Sequence, residues 1–595
     1  MTCRAKLVVA LFLGTFAAPA AVALDRAELL APNASDRLRD SLRGASLVLE
    51  AQREGRTEAQ DVFAAAQADY GRLLGALYAA GHYSGVISIR IDGREAGDIA
   101  PLNAPGRIRE VVLTVDPGPP FAFGEARIAP LAPGTELPAG FAAGEPAVSG
   151  VIGSGVEAAT TGWREAGHPK AQVRDQAIIA DHRAARLDAR IAMAPGRQAR
   201  LGQLTFTGQE RMRPERLHAI AGFPTGEVFT PEHLRRSADR LRRTGAFRAI
   251  TMTEAEEIAP DGTLDVAAAV IEETPRRIGF GAELASFDGL TLTGYWMHRN
   301  LLGGAEQLRF DARIAQIGAR RSGTDYSLGV SFERPATFTP DTTLGLSAGI
   351  ARLDEEDHVT RTVAAGARLT HIFSDRLTAR GGLEYRFSRV DDSLGSFTYR
   401  TLSLPLGLTW DARDNQFDAR SGTYLDAEIA PFAALGGSGN GARLVLDGRA
   451  YRAMGDRIVL AGRVQAGAVF GPDILDAPRD DLFYSGGGGT VRGQPYQSLG
   501  VDLPGTSQRT GGNRFVAASA EVRARITDKI GLVGFYDIGR VGASGIGGSS
   551  ATHAGAGLGL RYATGIGPIR LDVAGPVSGD TGNGVHLYIG IGQAF

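Results

Sequence analysis

The chain has 595 residues, 43% of them apolar and 22% charged, with a formal net charge of −2. That length is enough for several domains, and the near balance of charge excludes the basic excess a nucleic-acid binder carries. A single cysteine, Cys3, excludes a disulfide framework.

The chain opens on Arg4 and Lys6, continues with an apolar run over 7–16 that is too short to cross a bilayer, and reaches the small residues Ala21 and Ala23. Residues 1–23 therefore read as a secretory signal peptide. Cys3 lies inside it, which leaves the remaining chain without a thiol nucleophile or a cysteine metal ligand. Beyond it no run of about eighteen apolar residues occurs, so helical membrane spans are not expected. The 80 glycines crowd into the second half. Near Pro275 the apolar pattern also changes from helical to two-residue spacing, and the main boundary is placed there.

The first half carries one pattern three times. Tyr70, Leu73, Leu74, Leu77 and Tyr78 recur at helical spacing, Gly81 stands where a C-cap is expected, and Val86, Ile87, Ile89 and Ile91 begin a strand. A second strand at 111–115 runs into the turn 116–120. The second copy has a helix over 155–166 holding an inward Trp163, the exit Gly167, His168 and Pro169, and a strand over 186–193 closed by Pro195 and Gly196. The third has helices over 214–221 and 231–244, the exit Gly245, Ala246 and Phe247, and a strand over 264–270. His82, His168, His218 and His233 show no metal-ligand spacing and read as surface or hydrogen-bonded histidines. Helix, glycine exit, strand and Pro-Gly closure in this repeated order resemble the polypeptide-transport-associated (POTRA) domain. The resemblance implies modules over 24–121, 122–200 and 201–276.

From 277 onward the spacing is that of strands. Gln307, Arg309, Asp311 and Arg313 alternate with Leu308, Phe310, Ala312 and Ile314, and Thr401, Ser403, Thr409 and Asp411 with Leu402, Leu404, Leu406, Leu408 and Trp410. Segments of about ten residues with one apolar face are the length a tilted transmembrane strand needs. About sixteen of them fit between turn signals, which predicts a transmembrane antiparallel β-barrel over 277–595, because in hydrocarbon only a closed sheet leaves no unpaired backbone edge. In the last segment Val585, Leu587, Ile589, Ile591 and Phe595 share one face, and its terminal aromatic resembles an outer-membrane insertion signal. Gly590 and Gly592 weaken that strand, which must close on the segment containing Gly279. They mark either a weak lateral seam or room for a loop inside the lumen.

The longest connection, 471–512, contains four consecutive glycines at 486–489, followed by Val491, Arg492 and Gly493. With the stretches 299–304, 410–415, 534–539 and 559–572, it resembles the barrel of the BamA/TamA superfamily of outer-membrane assembly proteins. Three POTRA-like units point to the TamA branch. The resemblance implies that the loop folds into the lumen and that Arg492 meets acidic residues of the wall, Asp537 and Glu521. Gln494 stands where the family has an aromatic, and Tyr496 is the nearest ring. Alternation around Asp537 also turns Val533 and Phe535 inward.

No enzyme motif survives inspection: 486–490 lacks the Gly-Lys-Ser/Thr ending of a phosphate loop, no Gly-x-Ser-x-Gly elbow occurs, and the pair Glu272 and Glu273 reads as a strand end. The fold class is thus α+β periplasmic modules followed by an outer-membrane barrel. The implied function is non-enzymatic insertion or secretion of clients such as autotransporters, with no cofactor and no metal. Implied partners are outer-membrane lipid, a TamB-like inner-membrane or periplasmic protein and unfolded clients. A BamA-like insertase, a two-partner secretion transporter and a passive channel remain alternatives.

Overall fold

The computed structural model describes residues 24–595 except 57, 286–288, 320–321, 357, 394, 503–508, 544–549, 566 and 583. The signal-peptide reading of 1–23 falls outside the described residues. Two compact units form, one reaching Gly202 with 225–232 and 256–264, the other holding the rest.

In the first unit, strand Glu110–Asp116 lies between Arg26–Leu30, parallel to it, and Val86–Ile91, antiparallel. Helices Asp36–Ala45, Leu47–Glu54 and Ala59–Ala79 cover this sheet through Leu42, Val48, Leu73 and Leu77. Buried Asp69 fixes the start of the second helix, accepting from Ser46 Oγ at 2.6 Å and from the Leu47 and Val48 amides at 2.7 and 3.2 Å. Gly81, at φ +80, ends the long helix with the amide of His82 donating to the Leu77 carbonyl at 2.9 Å. A second module places Arg186–Ala194 between Ala122–Ala129 and Gln172–Asp181, beneath the helix Ser149–Glu165. Trp163 is not inside this core. It lies half-exposed, its indole N–H donating to the Pro130 carbonyl at 2.9 Å, because an indole needs a polar partner that the apolar core lacks.

The third module has strands Arg200–Thr207, Phe247–Glu254 and Thr263–Glu272 with helices Pro214–Ala221 and Pro231–Arg243. Glu272 accepts from the amides of Glu210, Arg211 and Met212 at 2.8 to 2.9 Å. Burial alone raises its pKa, but these three donors and the Arg211 guanidinium outweigh burial and hold the carboxyl below its usual range. Since the folded value is below the unfolded one, this contribution is present at neutral pH and is lost as pH falls through the folded value. Replacing Glu272 by alanine is expected to cost about 1–3 kcal/mol at neutral pH. The check is faster hydrogen exchange at Glu210, Arg211 and Met212, with the difference from the parent fading in acid.

Barrel pairing runs in sequence order from Arg276–Ala285 to His586–Ile591 and closes on itself. Gly395–Ser403 and Leu406–Asp411 both pair with Leu377–Asp392 and Gly422–Gly436, so they are two halves of one strand, interrupted where Pro405 has no N–H to give. Counted so, the described residues form sixteen barrel strands. Leu328, Leu346, Ile350, Leu425, Leu460 and Leu558 stand exposed on its outside. The inward positions carry ion pairs: Arg380 with Asp426 at 2.7 Å, and Asp447 with Arg449 and Arg463 at 2.7 and 2.8 Å. The third module is fastened to the short turns at one mouth. There Arg240 reaches Asp341 at 2.6 Å, Arg243 reaches the same carboxylate at 2.7 Å, and Arg216 donates to the Pro335 carbonyl at 2.5 Å.

Closure is uneven around the ring. Strand His586–Ile591 pairs with Ile569–Ser578 over six residue pairs, but the described residues show only Ala285 opposite Tyr588 across the seam to the first strand. Gly279 pairs with Tyr295 within the first hairpin, and the seam register carries Glu283, not Gly279, opposite Gly590. Gly590 faces Arg570, whose Nε would lie 3.1 Å from an added Cβ, so this glycine makes room for an arginine rather than for the loop. Two expectations for the last segment are corrected. Gly592 lies beyond the strand at φ +92, and Phe595 does not share the outer face of Val585, Leu587 and Ile589 but is buried inside. The positive φ at Gly592 breaks the alternation that would have carried Phe595 outward.

Candidate functional site

The connection after Ile458–Phe470 folds inward from the mouth opposite the third module. A short turn, Arg479–Asp481, pins its first part: Asp481 binds Arg386 at 2.8 Å, and Asp480 accepts from Thr362 and Ser388 at 3.0 and 3.1 Å. The loop then pairs with itself, Ser485 and Leu499 exchanging backbone bonds of 3.0 and 2.9 Å. At the tip Gly486 and Gly487 take φ of +117 and +86, which lets the chain reverse tightly enough for the Gly487 amide to reach the Gln494 carbonyl at 2.9 Å.

This reversal drives Arg492 against the wall. Its Nε and Nη2 grip both oxygens of Asp537 at 2.8 and 2.9 Å, and its own amide adds a third bond to that carboxylate at 3.1 Å. Nη1 lies 2.8 Å from Glu521, an ion pair without hydrogen-bond alignment, and 3.4 Å from Asp572. Glu521 also binds Arg523 at 2.8 Å, and Asp572 binds Arg561. Three guanidiniums and three carboxylates, none more than 6% exposed, thus form one closed cluster. Such balance matters because an unpaired charge at this depth costs several kcal/mol. Phe535 completes the cradle, its ring centre 3.6 Å from the Arg492 guanidinium, and this gives the inward turn of Phe535 its reason.

The neighbours of Arg492 are held by shape as much as by charge. Gly493, at φ +88, would put a Cβ 2.5 Å from the Gly575 carbonyl oxygen, and a Cβ on Gly555 would lie 1.9 Å from the Arg492 carbonyl oxygen. The Gly493 amide donates to the Tyr588 hydroxyl at 3.2 Å, which ties the loop to the seam strand. Val491 is fully buried. Gln494, where an aromatic was expected, is buried too: its amide nitrogen donates to Ala554 and Ser578 carbonyls at 2.8 and 3.1 Å, and its oxygen accepts from Thr581 at 2.8 Å. Tyr496 is not part of this anchor. It is 40% exposed and accepts from Gln497 at 2.9 Å, so the ring against Arg492 comes from Phe535 instead.

Sequence reasoning missed Asp572, Arg561 and His553. His553 bridges Ser485 and Thr581 at 2.8 Å each, linking the loop to two elements of the wall. Asp572 ends the quoted stretch 559–572 and alternates inward, so a signal for it was present; His553 had none. Ser485 and His553 are both buried at 1% or less, and the second ring nitrogen of His553 is held by the Thr581 hydroxyl. Among the described residues no cluster of His, Cys, Asp and Glu can hold a metal ion.

Comparison with known proteins matches residues 300–595 to the Omp85 superfamily domain and residues 199–271 to the POTRA surface antigen variable number repeat. The outer membrane protein assembly factor BamA of Nitratidesulfovibrio vulgaris is 25% identical over 354 residues, 57% of this chain and 43% of that protein, so the chain spans under half of that relative's length. Among solved structures, BamA from Haemophilus ducreyi lacking POTRA domains 1–3 superposes with a TM-score of 0.61 at 16% identity, over 79% of this chain and all of that one. CdiB from Acinetobacter baumannii gives a TM-score of 0.48 at 13% identity, over 80% of this chain and 90% of that one.

Proposed function

We propose that this chain, an outer-membrane barrel preceded by periplasmic POTRA modules whose residues 300–595 match the Omp85 superfamily domain, inserts or secretes client polypeptides at the outer membrane without catalytic chemistry of its own. The observation that carries the reading is the seam. A barrel held at its closing edge by one described residue pair, Ala285 and Tyr588, has an edge that a client strand can enter at little cost in broken bonds. The number of modules favours the TamA type, with a TamB-like protein meeting the periplasmic modules and autotransporters among the clients. A passive channel is disfavoured by the lumen loop, whose charges are used in anchoring rather than in lining a pore.

A cysteine pair at Glu283 and Gly590 tests the seam. Oxidation is expected to close it and stop client assembly while the barrel stays folded, and reduction to restore activity. Full activity of the oxidised protein sinks the seam reading. Crosslinking from the POTRA modules in cells tests the branch: capture of a TamB-like protein supports the TamA type, and capture of BamA-type lipoproteins supports the general insertase.

A further inference from the structure

On the outer wall, toward the mouth opposite the third module, four arginines from neighbouring strands form a row. Arg352 of Thr342–Asp354 pairs with Arg361 of His358–Ile372, and Arg361 in turn with Arg389 of Leu377–Asp392. Arg400 of Gly395–Ser403 stands one outward position lower, opposite Phe387. The row faces outward, because residues two apart on a strand share a face. The next pairs toward the third module, Leu328 with Ile350, Ile350 with Val363 and Val363 with Phe387, carry the exposed apolar side chains of the lipid side. Exposed Tyr326 lies level with Arg352, its partner on the adjacent strand. The arginines therefore cap the apolar band at its outer edge, where a membrane barrel carries its aromatic girdle.

Like charges directly opposite each other on a sheet repel, so the row needs counter-charge. Two carboxylates supply part of it: Asp354 binds Arg352 at 2.7 Å, and Asp391 binds Arg361 at 2.5 Å and lies 3.6 Å from Arg389. Arg389 also donates to the Ser396 hydroxyl at 3.1 Å, and Arg400 lies 5.8 Å from the centre of the Phe387 ring. Among these side chains four guanidiniums face two carboxylates, and Arg352, Arg361 and Arg389 remain 41, 53 and 56% exposed. We propose that the row binds the headgroup of an outer-leaflet lipid, a glycolipid carrying two phosphates. A guanidinium takes two phosphate oxygens at once, and the two unbalanced cations match two phosphates. With strands about 4.8 Å apart, the three paired arginines span about 10 Å. A disaccharide holds two phosphates that far apart, whereas a single glycerol holds them closer. The acyl chains of such a lipid run down the exposed face below, over Ile350 and Val363.

The test uses the full chain, delipidated in a neutral detergent, and native mass spectrometry with diphosphoryl lipid A, monophosphoryl lipid A and cardiolipin as probes. Diphosphoryl lipid A is expected to bind tightest. An arginine near a charged lipid surface is worth about fivefold in affinity, so the combined substitution Arg352→Gln, Arg361→Gln and Arg389→Gln is expected to weaken this binding by about a hundredfold. Arg197→Gln, an exposed arginine of the second module, is the control and should bind as the parent does. Should the triple variant not fold, Asp391→Asn gives the second reading: it removes an anion from the row and is expected to bind about fivefold more tightly. Parental affinity in the triple variant, no gain in Asp391→Asn, or an equal loss in Arg197→Gln overturns the site. Cardiolipin or monophosphoryl lipid A binding as tightly as the diphosphoryl form overturns the assignment of its ligand. Binding is read on the purified chain, so none of these outcomes bears on the client reading.

Discussion

Replacing Arg492 by glutamate is expected to expel the loop from the wall. The cluster changes from three cations and three anions to two cations and four anions, all within a few ångströms and nearly dry. Breaking a buried pair of this kind costs about 3–5 kcal/mol before the new repulsion is added. The bidentate grip on Asp537 and the cation over Phe535 are lost together. The expected readouts are protease cleavage within 486–489, a lower unfolding temperature and a more conductive barrel. Arg492→Lys keeps the charge but not the fork, and should fall between parent and glutamate variant. Exchanging the charges, Arg492→Asp with Asp537→Arg, is expected to recover only a small part, because Glu521 and Asp572 also face Arg492. A glutamate variant indistinguishable from the parent in all three readouts removes the anchor from the account.

The second large effect needs no change of charge. Gly555→Ala places a methyl group 1.9 Å from the Arg492 carbonyl oxygen and 3.4 Å from that of Gly575, both backbone atoms that cannot rotate away. Either the strand Ser550–Tyr562 or the loop must move, and the loop has the fewer backbone bonds to break. The same three readouts are therefore expected to change in the direction of Arg492→Glu, and the two substitutions together should cost less than their sum, since the loop can leave only once. Gly534→Ala, whose Cβ meets nothing closer than 3.9 Å, is the matched control and should behave as the parent. Normal loop protection in Gly555→Ala would show that the close approach of backbone to backbone at this point does not hold the loop.

Both predictions depend on features of unequal legibility. The alternation of Arg309 and Asp311 with Phe310 and Ala312 is a local consequence of the pleat, so it fixes which side chains face inward wherever the strand lies. Arg492 stood out because the charge sits between glycines in the longest connection, and the resemblance supplied Asp537 and Glu521. The expectation that Tyr496 supplies the ring had no such basis: nearness in sequence says nothing about which ring the wall brings up, and Phe535 fills that place from a strand some forty residues away.

By itself the sequence determined a run of strands long enough to span a membrane, their inward and outward faces and the loop that carries the arginine. These follow from spacing along the chain, where a two-residue period and a glycine run act through neighbouring residues alone. The tertiary structure decided the third carboxylate at Arg492, the reason Gly555 has no side chain, the short seam pairing among the described residues and the inward turn of Phe595. Each of these depends on register and closure, which bring atoms from distant strands within bonding distance, and a positive φ at one residue, Gly592, was enough to reverse the face on which Phe595 falls.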